Sequence, residues 1–371
     1  MKKILITGGA GFIGSHLCDE LLKNNYKIRV LDNLSDQVHG GDYERPEYLN
    51  DEVELIKGDI RDAALVEELV KESEAIFHFA ALVGVGQSMY EIKKYTEVNN
   101  VGTATLLEAI IKHPVKKLVV ASSMSIYGEG LYRDSSGNPY HSANRSLEQL
   151  KNNDWEVYND EGQILGPTAT DELKHPNLSS VYALSKYDQE QLCLMTCKAY
   201  NIPVTALRFF NVYGTRQSLS NPYTGVMAIF SSRLLNNRPP LIFEDGNQQR
   251  DFVHVHDVAQ ACRLALEQSK SNREIFNIGS GEHYSISSLA KILAKTMGKS
   301  HIEPEITGEY RVGDIRHCFA DISKANKVLG YRPNVSLAAG MKELVEWLES
   351  QLAVDHVDKA KAELTSRGLT V

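Results

Sequence analysis

Short apolar runs rich in β-branched residues punctuate the first part of the chain at residues 4–7, 27–31, 53–57, 75–79, 118–121 and 204–208. Runs of this length predict buried strands. Between them lie stretches in which apolar residues recur at helical spacing. Ile13, Leu17, Leu21 and Leu22 mark one side of a helix reaching about residue 24. Residues 63–71, 90–112 and 181–200 give three more, and another opens within 221–230 and ends near 236. Strands alternating with helices predict a parallel, doubly wound α/β sheet of the Rossmann type, because parallel neighbours need a crossover.

Beyond residue 210 the pattern loosens. A short strand at 241–243, the turn Glu244-Asp245-Gly246-Asn247, a strand after Arg250 and a helix beginning at Asp257 predict a smaller α/β unit. Residues 1–210 are therefore assigned mainly to the large domain and 211–350 mainly to the small one, with some crossing of the chain. Two stretches fall outside the alternation. Residues 131–178 are polar, rich in Asn, Ser, Asp, Glu and Pro, and contain Trp155; a connection that long is a lid, an interface element or loop chain. Residues 351–371 form a charged, helix-prone tail with no assigned role.

Composition sets the context. The 371 residues are 42% hydrophobic and 24% charged, with a net charge of −8. This suits a soluble globular protein and argues against nonspecific nucleic-acid binding. Five scattered cysteines, Cys18, Cys193, Cys197, Cys262 and Cys318, predict reduced thiols in a cytoplasmic protein. Cys193 and Cys197 share a helix face, but no nearby His or further Cys completes a ligand set, and no metal is assigned. No apolar run reaches membrane-spanning length, and the one at the start is too short for a signal peptide, so no membrane partner is expected.

Candidate chemistry gathers at the strand ends. Gly8, Gly11 and Gly14 follow the first strand, with Phe12 and Ile13 among them. Such glycines permit a tight turn and close backbone approach, and the helix N-terminus faces a pyrophosphate. Asp32 closes the second strand, followed by Asn33. A carboxylate there accepts hydrogen bonds from ribose hydroxyls and repels a 2′-phosphate, which favours NAD over NADP. Asp59 and Ile60, Ala80 and Ala81, and Ser122 and Ser123 fall at three further strand ends on the same edge. Tyr182 and Lys186 lie one turn apart on one helix face. An ammonium beside a phenol lowers its pKa from about 10, giving a base for a sugar hydroxyl.

With His78-Phe79-Ala80-Ala81, Asn99, Arg208-Phe209-Phe210-Asn211-Val212-Tyr213-Gly214, Arg250-Asp251-Phe252-Val253-His254 and Gly313-Asp314-Ile315-Arg316-His317, residues 1–348 resemble the extended short-chain dehydrogenase/reductase family, in its NAD-dependent nucleotide-sugar epimerases and dehydratases. The resemblance implies Tyr182 as base, Lys186 as its partner on the nicotinamide ribose, and Ser123 bonding the substrate hydroxyl. It implies adenine contacts from Asp59 and Ile60 and a cofactor role for Asn99. It places the nucleotide-sugar diphosphate and sugar against Asn211, Arg250, Arg316 and Ser125, with Arg311 behind them, since the arginine fork matches phosphate. Val226 and Phe230 would face the base, with core packing the alternative and the favoured one for Phe230; Thr168 and Thr170 fall in a surface loop or line the sugar pocket.

One departure narrows the reaction. Family dehydratases carry an Asp-Glu pair where this chain has Met124-Ser125. Neither side chain is a strong acid or base, so the resemblance implies a 4-epimerase working through a transient 4-keto sugar. Decarboxylation is weakened on the same ground. Residues 122–130 and 211–226 with the long insertion look most like the branch that acts on dTDP-L-rhamnose. UDP-glucose or UDP-uronate 4-epimerases, a reductase that releases its cofactor, and a non-catalytic NAD-binding regulator are the alternatives. The resemblance also implies a homodimer, with Leu106, Leu192 and Met195 as contacts.

Overall fold

The computed structural model describes residues 3–41, 44–223, 225–351 and 354–370. Met1 and Lys2 of the opening run, and Thr224 of the segment expected to open a helix, lie outside the described residues.

The large unit is built from β1 (Lys3–Thr7), α1 (Phe12–Lys23), β2 (Lys27–Asp32), β3 (Glu54–Lys57), α2 (Ala63–Lys71), β4 (Ala75–His78), α3 (Gly102–Lys112), β5 (Lys117–Ser123), α4 (Val181–Ala199) and β6 (Val204–Phe209). The chain then forms α5 (Val226–Leu235) and α6 (Val255–Glu267) before returning as β7 (Glu274–Ile278). It continues through α7 (Ile286–Thr296) and α8 (Leu337–Leu348) and ends on α9 (Val357–Ser366). The seven strands run in the order β7-β6-β5-β4-β1-β2-β3, every neighbouring pair parallel. The order reverses between β1 and β4, and the crevice at that switch point is where such sheets take ligands.

Apolar residues cover both faces of the sheet. Leu17 and Leu21 of α1 join Val258, Ala261 and Cys262 of α6 on one side. Val66, Leu69, Leu106, Ile110, Cys193 and Cys197, from α2, α3 and α4, join on the other. Leu106 is thus core and cannot be a subunit contact; Leu192 packs beside it, while Met195 is 60% exposed. All five cysteines are buried free thiols. A third cluster, including Phe230, Leu234, Leu293, Met341 and Leu344, holds the smaller unit together. No described helix is long and apolar enough to cross a membrane.

Three segments depart from the pattern-based expectation. Residues 90–112 are not one α-helix: Ile92–Tyr95 runs into a π-helical Thr96–Val101 and then α3. The wide turn carries Asn99, buried, its amide bonded to both backbone groups of Leu82 (2.7 and 3.1 Å) and to Ser185 (2.9 Å). Such π turns interrupt helices where a side chain has another task. β7 lies in the stretch assigned to the small unit and was not expected there. The 131–178 insertion is folded: Leu131–Arg133 pairs antiparallel with Pro139–Tyr140 and Gly166–Thr168 over a core of Tyr132, Ala143, Val157 and Leu165.

Candidate active site

A cavity of about 650 Å³ opens at the strand ends, lined by Gly8, Gly11, Phe12, Ile13, Gly14, Asp32, Asn33, Asp59, Ile60, Ala80, Ala81 and Ser122. Its shape follows from the glycine turn. Gly8 has φ +71°, a left-handed conformation, and an added Cβ would stand 2.7 Å from the Ala80 nitrogen. A Cβ on Gly14 would reach within 2.5 Å of the Gly8 carbonyl oxygen. No side chain caps α1, so its N-terminal amides are left for an anion. Asp32 accepts from the amides of Ala10 (3.0 Å) and Leu34 (2.9 Å), which fixes its carboxylate at the rim with lone pairs to spare. Asp59 is held by the Arg61 guanidinium (2.8 and 2.9 Å), whose hydrogen bonds keep its carboxyl below the usual range. These residues fit a dinucleotide. Asn99 is not among the lining residues; it fixes the Leu82 loop that is.

Further along the cavity lie Ser123, Met124, Ser125, Tyr182 and Lys186. Helix α4, capped by the Ser180 hydroxyl on Ala183 N (3.1 Å), buries Tyr182, Lys186, Gln189, Glu190, Cys193 and Cys197 on one face. That face is polar at its first half and apolar at its second. The Ser125 hydroxyl donates to Ser123 Oγ (2.9 Å), and Ser123 lines the same cavity as the Tyr182 phenol. Burial raises the Tyr182 pKa above its ordinary value, and Ser123 opposes the rise. The expected lowering by Lys186 is therefore not supplied by the protein alone. Burial takes Lys186 itself down to about 8, and its ammonium is directed to Gln189 Oε1 (2.6 Å). Gln189 passes the contact on to Thr103 (2.9 Å), and His78, lowered to about 3 by burial and then by Lys186, stays neutral between Thr7 and Thr103.

Behind the reacting end is a buried ion pair that spacing did not reveal. Arg208 forks onto Glu190 (2.6 and 2.9 Å) and reaches the Tyr127 hydroxyl (2.8 Å), while Ser122 donates to Glu190 (2.6 Å). Glu190 stands four residues after Lys186 on the same face, which was the available signal.

At the other end the lining includes Asn211, Val226, Phe230, Arg250, Arg311 and Asp314. Arg250 donates to the carbonyls of Gln249 (2.9 Å), Arg316 (2.8 Å) and Ile315. Phe230 is 1% exposed and belongs to the third core cluster as well as the lining. Arg316 does not line the cavity. It is locked into Glu244 (3.1 Å), Asp245 (2.5 and 2.9 Å) and Glu156 (3.1 Å). With Arg145, bonded to Glu244 (2.9 Å) and Glu129 (3.3 Å), it docks the insertion onto the smaller unit. Arg311, paired with Asp314 (2.9 Å), takes the place expected of Arg316. Thr168 and Thr170 also lie outside the lining; Thr170 is buried under Leu131 N (3.0 Å).

Away from the cavity, His254, His256 and Glu343 bring their ligand atoms within 4.8 Å of one another. His254 Nδ1 caps α6 by accepting from His256 N (3.4 Å), which leaves the proton on Nε2 facing Glu343 at 3.7 Å. Burial holds His254 down to about 4, so its ring is neutral, and its Nε2 has no hydrogen-bond partner among the described residues.

The model of the NAD dependent epimerase/dehydratase family matches residues 4–151 and 155–279. The chain belongs to that family. As an NAD dependent epimerase/dehydratase, it is an enzyme that uses NAD, and the glycine turn and Asp32 are placed to hold that cofactor. Its relatives include the dTDP-L-rhamnose 4-epimerase of Burkholderia thailandensis, 37% identical over 95% of this chain and 96% of the relative. A putative UDP-glucose 4-epimerase of Methanocaldococcus jannaschii is 35% identical over 94% and 98% of the two chains. Among solved structures, the UDP-glucuronic acid 4-epimerase of Bacillus cereus, in complex with UDP-glucuronic acid and NAD, superposes with a TM-score of 0.76 at 31% identity, covering 94% of this chain and 99% of that one.

Proposed function

We propose that the protein inverts C4 of a nucleotide-diphosphate sugar, acting on dTDP-L-rhamnose and dTDP-6-deoxy-L-talose. The observation that carries the reaction is a Ser123–Ser125 hydroxyl pair and the Tyr182 phenol lining one cavity, with no carboxylate on the Ser123–Tyr127 turn. The carboxylates among the lining residues are Asp32, Asp59 and Asp314, none of them on the Ser123–Tyr127 turn. A site so built can move one proton at a carbinol oxygen but has no acid to expel water. The 37% identity to an enzyme named for dTDP-L-rhamnose supports the sugar.

Ser123 orients the C4 hydroxyl and Tyr182 takes its proton, returning it after the 4-keto sugar has turned in the site. Bound NAD brings a cationic ring and a hydride acceptor and donor, so the reaction has no net redox change. Lys186 would meet the ribose of that cofactor, and Gln189 accepts from the Lys186 ammonium (2.6 Å). Arg250 and Arg311 bind the diphosphate, Asn211 the neighbouring sugar oxygens, and Val226 packs on the base.

The test is incubation with a panel of nucleotide sugars followed by NMR of the products. Conversion of dTDP-L-rhamnose is expected. Conversion of UDP-glucose and UDP-galactose alone would overturn the sugar and leave the reaction type standing. In Tyr182→Phe, turnover should fall about 10²–10⁴-fold while the absorbance of bound NAD persists; full activity in that variant would overturn the assignment of the base. Stoichiometric release of NADH would point to a dehydrogenase instead, and net consumption of added NADH to a reductase.

A further inference from the structure

The C-terminal tail, left without a role by its sequence, closes over the cavity. Val357, Ala360, Lys361 and Leu364 of α9 are among the lining residues. Their spacing puts all four on one helix face. The helix is moored to both sides of the cavity. At its start, Asp355 and Asp358 pair with Arg233 (3.6 and 2.8 Å) and Arg238 (3.3 and 2.9 Å), joining it to the smaller unit. In its middle, Lys361 pairs with Glu309 (2.9 Å), two residues before Arg311. At its far end it meets the large unit. A Cβ on Gly86 would touch Leu364 at 3.2 Å, Glu363 accepts from the Tyr223 hydroxyl (3.3 Å), and Arg367 lies over the Tyr90 ring at 4.2 Å. The Leu369 carbonyl then accepts from Val312 N (3.0 Å), and Thr370 bridges to Arg311.

The mooring is electrostatic more than apolar. Ala360 and Leu364 are its buried residues, whereas Asp358 and Arg238 are more than half exposed. Exposed ion pairs contribute about 0–1 kcal/mol each. The Arg233–Asp355 pair is buried, and the inward face of the helix is chemically specific: an apolar surface with one ammonium, within the same cavity as Arg250 and Arg311.

We propose that α9 is a wall of the nucleotide-sugar site, with Lys361 a third cation facing the diphosphate and Leu364 packing against the bound ligand so that the keto intermediate does not escape. This rests on the nucleotide-sugar reading above. A diphosphate carries the charge that would draw Lys361 from Glu309, whose two carboxylate oxygens now share its ammonium (2.9 and 3.0 Å).

The test uses full-length enzyme with its NAD and three variants, Lys361→Met, Lys361→Arg and Leu364→Ala, with a chain ending at residue 351 as a fourth. For the sugar nucleotide that the wild type converts, Lys361→Met is expected to raise KM about ten- to a hundredfold with little change in kcat, as for a lost charge-assisted hydrogen bond, and Lys361→Arg to restore it. Leu364→Ala and the shortened chain should accumulate NADH absorbance during turnover as keto sugar leaks, with cofactor content before substrate unchanged. KM within about twofold of wild type in Lys361→Met, together with wild-type NADH levels in Leu364→Ala, would overturn the proposal. Calorimetric binding of dTDP and UDP keeps the two readings apart. If the wild type converts no sugar nucleotide, the reaction reading fails, while weakened dTDP or UDP binding by Lys361→Met still supports the wall and unchanged binding overturns it.

Discussion

Lys186 is buried to 4% exposure, and its ammonium falls from an ordinary 10.5 to about 8. A lysine lowered in the folded state weakens stability fully below its folded pKa, and the penalty fades as pH rises to the unfolded value. Between about pH 8 and 10.5, cofactor-stripped wild type should therefore gain roughly 3 kcal/mol relative to Lys186→Met. Urea unfolding of both proteins across that range measures it, and a constant difference would show that the ammonium is not desolvated. Tyr182 and Lys186 were legible because a one-turn spacing ties residue type to geometry. Gln189 was not, since a glutamine on a helix normally faces water. Arg316 misled for a related reason: the motif marks a functional neighbourhood, and the burial that makes its position special also spends its guanidinium on Glu244, Asp245 and Glu156.

At the scale of elements, the alternation of β1 to β6 with α1, α2, α3 and α4 could be read from hydrophobic period alone. β1, β2, β4, β5 and β6 are mostly buried, whereas β3 at the sheet edge has no buried residue, and α1, α2 and α3 each bury one apolar side. Disagreement came where function bends the rule. The π turn holding Asn99 interrupts a helix whose apolar pattern continues across it, and α4 buries a polar half-face. That half-face depends on the Glu190–Arg208 pair. Replacing Glu190 with Gln leaves Arg208 buried with its charge uncompensated, and breaking such a pair lowers stability by about 3–5 kcal/mol. Denaturant unfolding should show this loss. A drop below about 1 kcal/mol would mean that the Tyr127 hydroxyl and solvent suffice for Arg208. The fold of 131–178 was hidden because its core is four residues spread over a polar stretch, too few to register as a period.

Over the whole molecule, Val101, Leu184 and Met195 leave 49%, 46% and 60% of their surfaces exposed around the α3–α4 face. We propose that a second copy covers this face, now with Leu184 and Val101 in place of Leu106. Light scattering behind a sizing column should give a dimer mass for the wild type and a monomer for Met195→Asp with Leu184→Asp; a monomeric wild type would refute it. The return of the chain to the large sheet after residue 210 was not readable, because Glu274–Ile278 is one apolar run among many. That return has a bearing on biosynthesis. β6 pairs with β7 along its whole length, from Thr205 to Phe209. Until residue 278 has left the ribosome, the nascent sheet ends on a naked strand edge, the kind that recruits neighbouring chains into aggregates. Part of the smaller unit, α5 included, is thus made before the large sheet is complete, and a fragment cut at residue 210 is an unfinished sheet, not a domain.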